Sequence, residues 1–272
     1  MFPQDEAGFS IDDQFYVGDS GLLVKPVTRP GVSKETVYIP EDKVCTSNLI
    51  WWNHPLNARY KKVYYDYFTY QTYRGSPKGK HVTVPAELDQ LPLLVRGGSI
   101  IPARDRPRRA SSLMHRDPFT LRVALDESLT AHGEIYLDDG VTYAHKDGHL
   151  AWRGLSVDSI SKSGAELRLS NVDLAAATPR SAVEGGAIAT FDRQNPFQSG
   201  IESVRVERVI VLGLPGPPKR VALEGEGERD LEWEYAPGVA AADKKDGVAS
   251  VLTIKDPRVG VASDWAIRIT AY

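Results

Sequence analysis

Two adjacent aspartates, Asp138 and Asp139, followed by Gly140, are the residues that first suggest chemistry. Paired carboxyl groups can act as acid and as nucleophile or base when they face each other at about 5–9.5 Å across a substrate bond. Neighbouring residues of a strand point to opposite faces, so adjacent aspartates make a poor pair of this kind. An Asp-Gly step between runs rich in aromatic and β-branched residues instead favours a tight hairpin, because glycine tolerates a positive φ. We predict a turn.

The six histidines could contribute to a metal site, but zinc needs three or four ligands that converge. His145 and His149 are separated by Lys-Asp-Gly, which predicts a turn rather than one face of a helix. We interpret the histidines as solvated loop residues and expect no metal site and no cofactor. They are His54, His81, His115, His132, His145 and His149.

Ser99 lacks the Gly-x-Ser-x-Gly frame of a nucleophile elbow, and the preceding Gly97-Gly98 favours a bulge or bend within a strand. The basic run 104–109 could grip phosphates, yet no aromatic residues interleave with it, so we interpret it as a solvated connector. "RRAS" (108–111) resembles a phosphorylation motif but is too short to support a site.

The aromatic run "VYYDYFTYQTYRG" (63–75) is the most distinctive segment. Alternation places Tyr65 and Tyr67 on one face and Tyr64 and Phe68 on the other. A sugar-stacking platform is one interpretation. A core or interface strand, packed on both sides, is the interpretation that we favour.

The elements that must position these residues are short strands. Most segments alternate apolar and polar residues between turn clusters, which is typical of half-buried antiparallel strands. The predicted fold is all-β, with two antiparallel β-sandwich domains. The clearest strands are 36–40, 81–86, 91–103, 119–126, 133–139, 165–171, 201–214, 219–225 and 249–256.

The composition of the chain limits its possible partners and functions. The chain has 272 residues, a net charge of −3 and a single cysteine, Cys45, so no disulfide forms within it. This charge does not favour nucleic acid or an anionic membrane as partner, and no apolar run approaches the roughly 18 residues of a spanning helix. The N-terminus does not resemble a signal peptide.

Two further segments indicate the domain organisation. The polar, proline-containing stretch 103–118 suits a connector between domains. The apolar run in "DDQFYVGDSGLLVKPV" (12–27) has no obvious partner nearby in sequence, and Pro26 predicts an edge strand or a strand end. Residues 45–62, with Trp51 and Trp52, interrupt two runs that would otherwise be continuous.

Several segments together resemble the C-terminal part of glycoside hydrolase family 31: "DDQFYVGDSGLLVKPV", "VYYDYFTY", "LPLLVRGGSIIPAR", "HRDPFTLRVALD" and "GEIYLDDGVTY". The resemblance implies that residues 1–27 are the tail of a (β/α)8 barrel, 28–110 a proximal β-sandwich and 111–272 a distal one. It marks 45–63 as an insertion or a retained intron. No position matches the family's catalytic Asp motifs, so no catalytic residue is assigned in this chain.

The resemblance implies a non-catalytic scaffold in a retaining exo-α-glucosidase that trims glucose from N-linked glycans in the endoplasmic reticulum lumen. The implied partners are the barrel-bearing part of the polypeptide and a non-catalytic beta subunit. The alternative is an independent carbohydrate-binding β-sandwich that stacks sugar on its tyrosines or Trp152. Glycan binding by the soluble chain alone would favour that alternative.

Overall fold

The computed structural model describes residues 2, 5–40, 63–76, 78–160, 166–174, 200–225, 227–240 and 247–270. The chain divides into two compact units, Met1–Gly97 with Gly238–Ala249, and Gly98–Pro237 with Ser250–Tyr272. Short 3-10 helices lie at Glu6–Ser10, Ser111–Met114 and Ala144–Asp147. Nearly all the other regular structure in the described residues is strand, which confirms the all-β prediction. Among these residues no helix has the length and apolar character that a membrane crossing requires.

The strands of the first unit are β1 (Phe15–Tyr16), β2 (Leu22–Val24), β3 (Lys34–Ile39), β4 (Val63–Asp66), β5 (Gln71–Arg74), β6 (Lys80–Pro85) and β7 (Leu93–Arg96). The second unit contributes β8 (Ser99–Ala103), β9 (Phe119–Ala124), β10 (Ala131–Leu137), β11 (Ala151–Ser159), β12 (Glu166–Asp173), β13 (Arg205–Leu212), β14 (Arg220–Leu223), β15 (Arg229–Asp230) and β16 (Glu232–Ala236). The chain then returns to the first unit with β17 (Val239–Ala240) and β18 (Gly247–Val248), and ends in the second with β19 (Val251–Gly260) and β20 (Trp265–Thr270).

The first unit is a sandwich of two unequal sheets. One sheet has seven strands in the order β1-β2-β7-β4-β5-β18-β17, and the other is the pair β3-β6. Inward-facing residues of both sheets form one small core, consisting of Leu23, Val37, Ile39, Tyr64, Tyr73, Val82, Val84 and Leu94. Alternating burial along β3 and β6 explains why these segments show the strand pattern in the sequence.

The second unit is built on a single eleven-stranded sheet, in the order β15-β14-β20-β12-β11-β10-β8-β9-β13-β19-β16. Val221 of β14, near one end of that order, and Leu252 of β19, near the other, belong to the same core cluster. Strands at opposite ends of the order share a core only if the sheet folds over on itself, so this unit is also a sandwich.

The strand pairing is antiparallel in the described residues except at two places. β8 and β10 are parallel neighbours, as are β9 and β13. The chain reaches both pairs by crossovers, since β9 separates β8 from β10 in sequence and three strands separate β9 from β13. Gly133 permits the close approach of β10 to β8, because a Cβ at this position would lie 2.2 Å from the carbonyl oxygen of Ile100.

Some details of the sequence predictions differ from the structure. The single strand expected over 91–103 is two strands, because Gly98 has a φ of 93° and the chain passes from one unit to the other there. Of the two alternatives given for the run before Pro26, the strand end is correct, because β2 ends before this proline. Strand β2 is not an edge strand, since β1 and β7 lie on its two sides. Strands β11, β16 and β20 are absent from the predicted strands.

Candidate functional site

The two aspartates begin a long loop rather than a two-residue hairpin. Strand β10 ends at Leu137, and its antiparallel partner β11 starts at Ala151, directly opposite. The intervening residues contain the 3-10 helix Ala144–Asp147. The tight-hairpin prediction is therefore wrong, although Gly140 has the positive φ, 64°, that the prediction required.

Both carboxylates of this loop accept hydrogen bonds from its own backbone. Asp138 Oδ1 accepts from Gly140 N at 2.9 Å, and Asp139 Oδ1 accepts from the Val141 and Thr142 amides at 3.0 and 2.9 Å. The Thr142 hydroxyl donates to Asp139 Oδ2 at 2.5 Å. These bonds, led by the one from the Thr142 hydroxyl, lower the pKa of Asp139 to about 2. Asp139 is thus a fixed acceptor that organises a loop.

The histidines of the described residues do not assemble a metal site. His145 Nδ1 lies 3.9 Å from Asp138 Oδ2, and its ring is 6.1 Å from that of Tyr143. No group of three or more His, Cys, Asp or Glu side chains converges in the part of the chain that the structure describes. His54 and Cys45 lie outside the described residues, as do Trp51 and Trp52 and the rest of the predicted insertion before Val63.

The aromatic run is part of the core of the first unit. Tyr64, Tyr65 and Tyr73 have exposed fractions of 0, 4 and 4%. Strand β4 ends at Asp66, whose Oδ1 accepts from the amides of Phe68 and Thr69 at 3.0 and 2.7 Å and turns the chain. These three buried tyrosines cannot stack on a sugar, and for them the core interpretation is correct. The predicted alternation does not extend to Tyr67 and Phe68, which follow the end of β4, and Phe68 is 50% exposed.

Two of the arginines in 104–109, Arg106 and Arg108, form ion pairs and are not simply solvated. Arg106 contacts Glu207 at 2.7 Å, and Arg108 donates two hydrogen bonds, of 2.9 and 2.6 Å, to the buried Asp117. This bidentate contact is the main cause of the lowered pKa of Asp117. The basic run is therefore fastened to the second unit, which differs from the solvated connector that the sequence suggested.

Polar side chains fasten the N-terminal segment to β3, through residues that sequence reasoning did not single out. Asp5, 4% exposed, accepts the Tyr38 hydroxyl with both carboxylate oxygens at 2.9 Å. The Gln14 amide bonds to the Tyr38 backbone twice, at 2.7 and 2.8 Å, as a neighbouring strand would. No local pattern could have revealed these contacts, since Asp5 and Tyr38 are 33 residues apart.

A cavity of about 360 Å³ lies beside these contacts. Its lining includes the aromatic residues Phe2, Phe9, Phe15 and Tyr16, with Asp5 as its acidic member. Phe9 and Phe15 have exposed fractions of 72 and 53%. Large exposed apolar side chains grouped in this way mark a contact surface. The N-terminal segment is therefore bound to the first unit on one side and offers an apolar surface on the other.

Trp152, the tryptophan singled out for sugar stacking, lies on β11 and is half-buried. Its indole nitrogen donates to Glu134 Oε2 at 2.7 Å. Its cross-strand neighbour is Tyr136 of β10, which is 51% exposed. The structure thus brings two aromatic rings and a carboxylate to one face of the second unit.

Comparison with known proteins places this geometry in context. Residues 1–101 match the family described as "Glycosyl hydrolase family 31 C-terminal domain". "Glucosidase 2 subunit alpha" of Schizosaccharomyces pombe (strain 972 / ATCC 24843) is 45% identical over 160 residues, which are 58% of this chain and 15% of that protein. "Neutral alpha-glucosidase AB" of Sus scrofa is 32% identical over 268 residues, which are 98% of this chain and 22% of that protein.

A solved structure shares the fold over the same extent. It is the crystal structure of an ER glucosidase II heterodimeric complex consisting of the catalytic subunit and the binding domain of the regulatory subunit. The TM-score is 0.73 at 33% identity, with 99% of this chain and 24% of that chain covered. The chain thus spans about a quarter or less of the length of the proteins that it matches.

Proposed function

Because this chain belongs to glycoside hydrolase family 31, we propose that it is the C-terminal scaffold region of a retaining exo-α-glucosidase that trims glucose from N-linked glycans. The observation that carries the proposal is the 32% identity to an α-glucosidase over 98% of the chain. Similarity that includes both units, rather than a short motif, supports a shared role in the same kind of enzyme.

The scaffold does not itself cleave the substrate. The two aspartates that first suggested catalysis accept hydrogen bonds from their own loop, and the lowered pKa of Asp139 makes it a poor general acid near neutral pH. The catalytic acid and nucleophile are two aspartates of a barrel encoded upstream. Residues 1–27, which the resemblance marks as the tail of that barrel, belong to the first unit, where β1 and β2 are strands of the seven-stranded sheet. We propose that the upstream barrel contacts the apolar surface around Phe9 and Phe15.

The proposed partners follow from the related complex, whose catalytic subunit resembles this chain and is bound to a domain of a regulatory subunit. We place this chain in the endoplasmic reticulum lumen with a non-catalytic beta subunit of that kind. The resemblance implies a proximal domain over 28–110 and a distal domain over 111–272, but residues 98–110 belong to the second unit and residues 238–249 to the first. Residues 45–63 stay an insertion or a retained intron. Sequencing the transcript distinguishes an insertion from a retained intron, because only a retained intron is missing from the spliced message.

A reconstitution experiment tests the scaffold role. The chain alone is expected to leave a chromogenic α-glucoside intact, whereas co-expression with the upstream barrel region should give hydrolysis. The barrel region expressed without this chain should be insoluble or inactive, because its contact surface is then exposed. Hydrolysis by the chain alone that Asp138→Asn or Asp139→Asn abolishes would overturn the proposal.

A further inference from the structure

One face of the second unit carries an arrangement that the scaffold role does not use. We define the aromatic patch as Glu134, Tyr136 and Trp152 with the adjoining Asp138. Tyr136 and Trp152 are direct cross-strand partners, so their side chains emerge on the same face, and Glu134 shares that face two residues earlier on β10. The neighbouring pair Ile135 and Arg153, only 3 and 2% exposed, points to the opposite, buried side.

The patch is held in place before any ligand arrives. Glu134 fixes the indole of Trp152 through the 2.7 Å hydrogen bond to Nε1. Asp138 is held by its bond from Gly140 N. Burial, and secondarily the nearby Asp138 carboxylate, raise the pKa of Tyr136 above its ordinary value. Preorganised groups lose little conformational entropy when they bind.

The chemistry of these groups selects the ligand. Ionised carboxylates only accept hydrogen bonds, so a ligand that satisfies Glu134 and Asp138 must carry donors. Tyr and Trp present flat apolar rings with a polar edge, which suits a ligand with one apolar face. A hexose has both features, hydroxyl donors around its rim and a face of C–H groups. The carboxylates would repel a phosphate-bearing ligand. The described residues also contain no cluster of three potential metal ligands.

We propose that the aromatic patch is a carbohydrate-binding surface, on which a hexose unit of a glycan stacks on Tyr136 and Trp152 and donates hydroxyl hydrogen bonds to Glu134 and Asp138. This surface lies within the second unit alone, and its binding requires no hydrolysis. It therefore goes beyond the proposed scaffold role and stands whether or not that role is correct.

Calorimetric titration of the full 272-residue chain with maltose, a disaccharide of α-linked glucose, tests the proposal. Saturable binding in the millimolar range is expected. Tyr136→Ala and Trp152→Ala should each weaken it by roughly tenfold, which is the change that 1.4 kcal/mol of lost stacking makes in an equilibrium constant. Tyr136→Phe, which keeps the ring, should retain most of the affinity.

Phe68→Ala is the matched control, because Phe68 is a similarly exposed aromatic residue, 50%, in the first unit. Thermal melts of each variant show whether it is folded, and Tyr136 is exposed enough for its loss to leave the core intact. The proposal is overturned if the unsubstituted chain shows no saturable binding of maltose. It is also overturned if both alanine variants are folded and bind maltose as tightly as the unsubstituted chain does. A third outcome overturns it as well: sugar binding is lost when the upstream region is present, and Trp152 is then shielded from solvent quenchers. The patch would in that case be a protein interface.

Discussion

The two units hold their strands together by different means. The second unit buries side chains from nearly every strand of one folded sheet in a single large cluster, in which Leu121, Val123 and Leu252 are fully buried. The first unit has a much smaller core and relies on polar contacts, such as Asp5 with Tyr38, to hold its N-terminal segment. Apolar burial is therefore distributed over the whole second unit, whereas single hydrogen bonds contribute more to the stability of the first unit.

Gly79 shows how closely the polar contact of the first unit is fitted. A Cβ at this position would lie 2.0 Å from the Tyr38 hydroxyl, and the φ of 66° also favours glycine. The absence of a side chain at Gly79 thus leaves room for the hydroxyl to reach Asp5. The first unit thus depends on a hydrogen bond whose geometry involves residues distant in sequence, Asp5, Tyr38 and Gly79, whereas the second depends on apolar burial in one large cluster.

The largest expected effect is in the core of the second unit. Leu121→Ala removes a fully buried side chain and leaves a cavity, which should lower the free energy of unfolding by about 2–5 kcal/mol. Urea unfolding, with amide protection recorded separately for strands of each unit, measures the loss. Leu113→Ala, at a residue 59% exposed, is the control and should change little. A loss at Leu121 as small as the control would contradict the account of that core.

A smaller effect is expected from the polar contact of the first unit. Tyr38→Phe keeps the ring but leaves the buried Asp5 carboxylate without the hydroxyl that donates to both its oxygens, at a cost of about 1–3 kcal/mol. The protection of β3 amides should fall while that of the second unit is unchanged. Tyr143→Phe, at a tyrosine 75% exposed, is the matched control. Unchanged protection of β3 in Tyr38→Phe would show that the hydrogen bond contributes nothing.

The smallest expected effect is in the loop of Asp139. Because the pKa of this carboxyl is depressed from 3.8 to about 2 in the folded chain, its contribution to stability is present above pH 3.8. It is lost as the pH falls from there through about 2. Carboxyl chemical shifts recorded against pH measure the titration directly. Thr142→Val removes the hydroxyl donor and should raise the pKa towards its ordinary value, and titration of the intact loop near 3.8 would refute the assigned bonds.

Sequence reasoning succeeded where burial alternates along a strand. It predicted β6, in which buried and less buried positions alternate, and β9, whose residue types alternate although five of its six residues are buried. It missed β11, "AWRGLSVDS", in which the buried positions from Arg153 to Val157 include Arg153 and Ser156, residue types that are unusual in a core. It also placed the return strand too early after Gly140, because a glycine that permits a turn does not say how long the loop is.

The all-β fold, most of the strands and the resemblance to glycoside hydrolase family 31 could be predicted from the sequence, because each depends on residue types in a local order. The structure was needed to show which strands are neighbours, which carboxylates are hydrogen-bonded and which aromatic rings face solvent. Pairings such as Asp5 with Tyr38, β8 with β10, or Tyr136 with Trp152 join residues that are distant along the chain. Contacts of this kind form only when the sheets fold over their cores, and no spacing in the sequence records them.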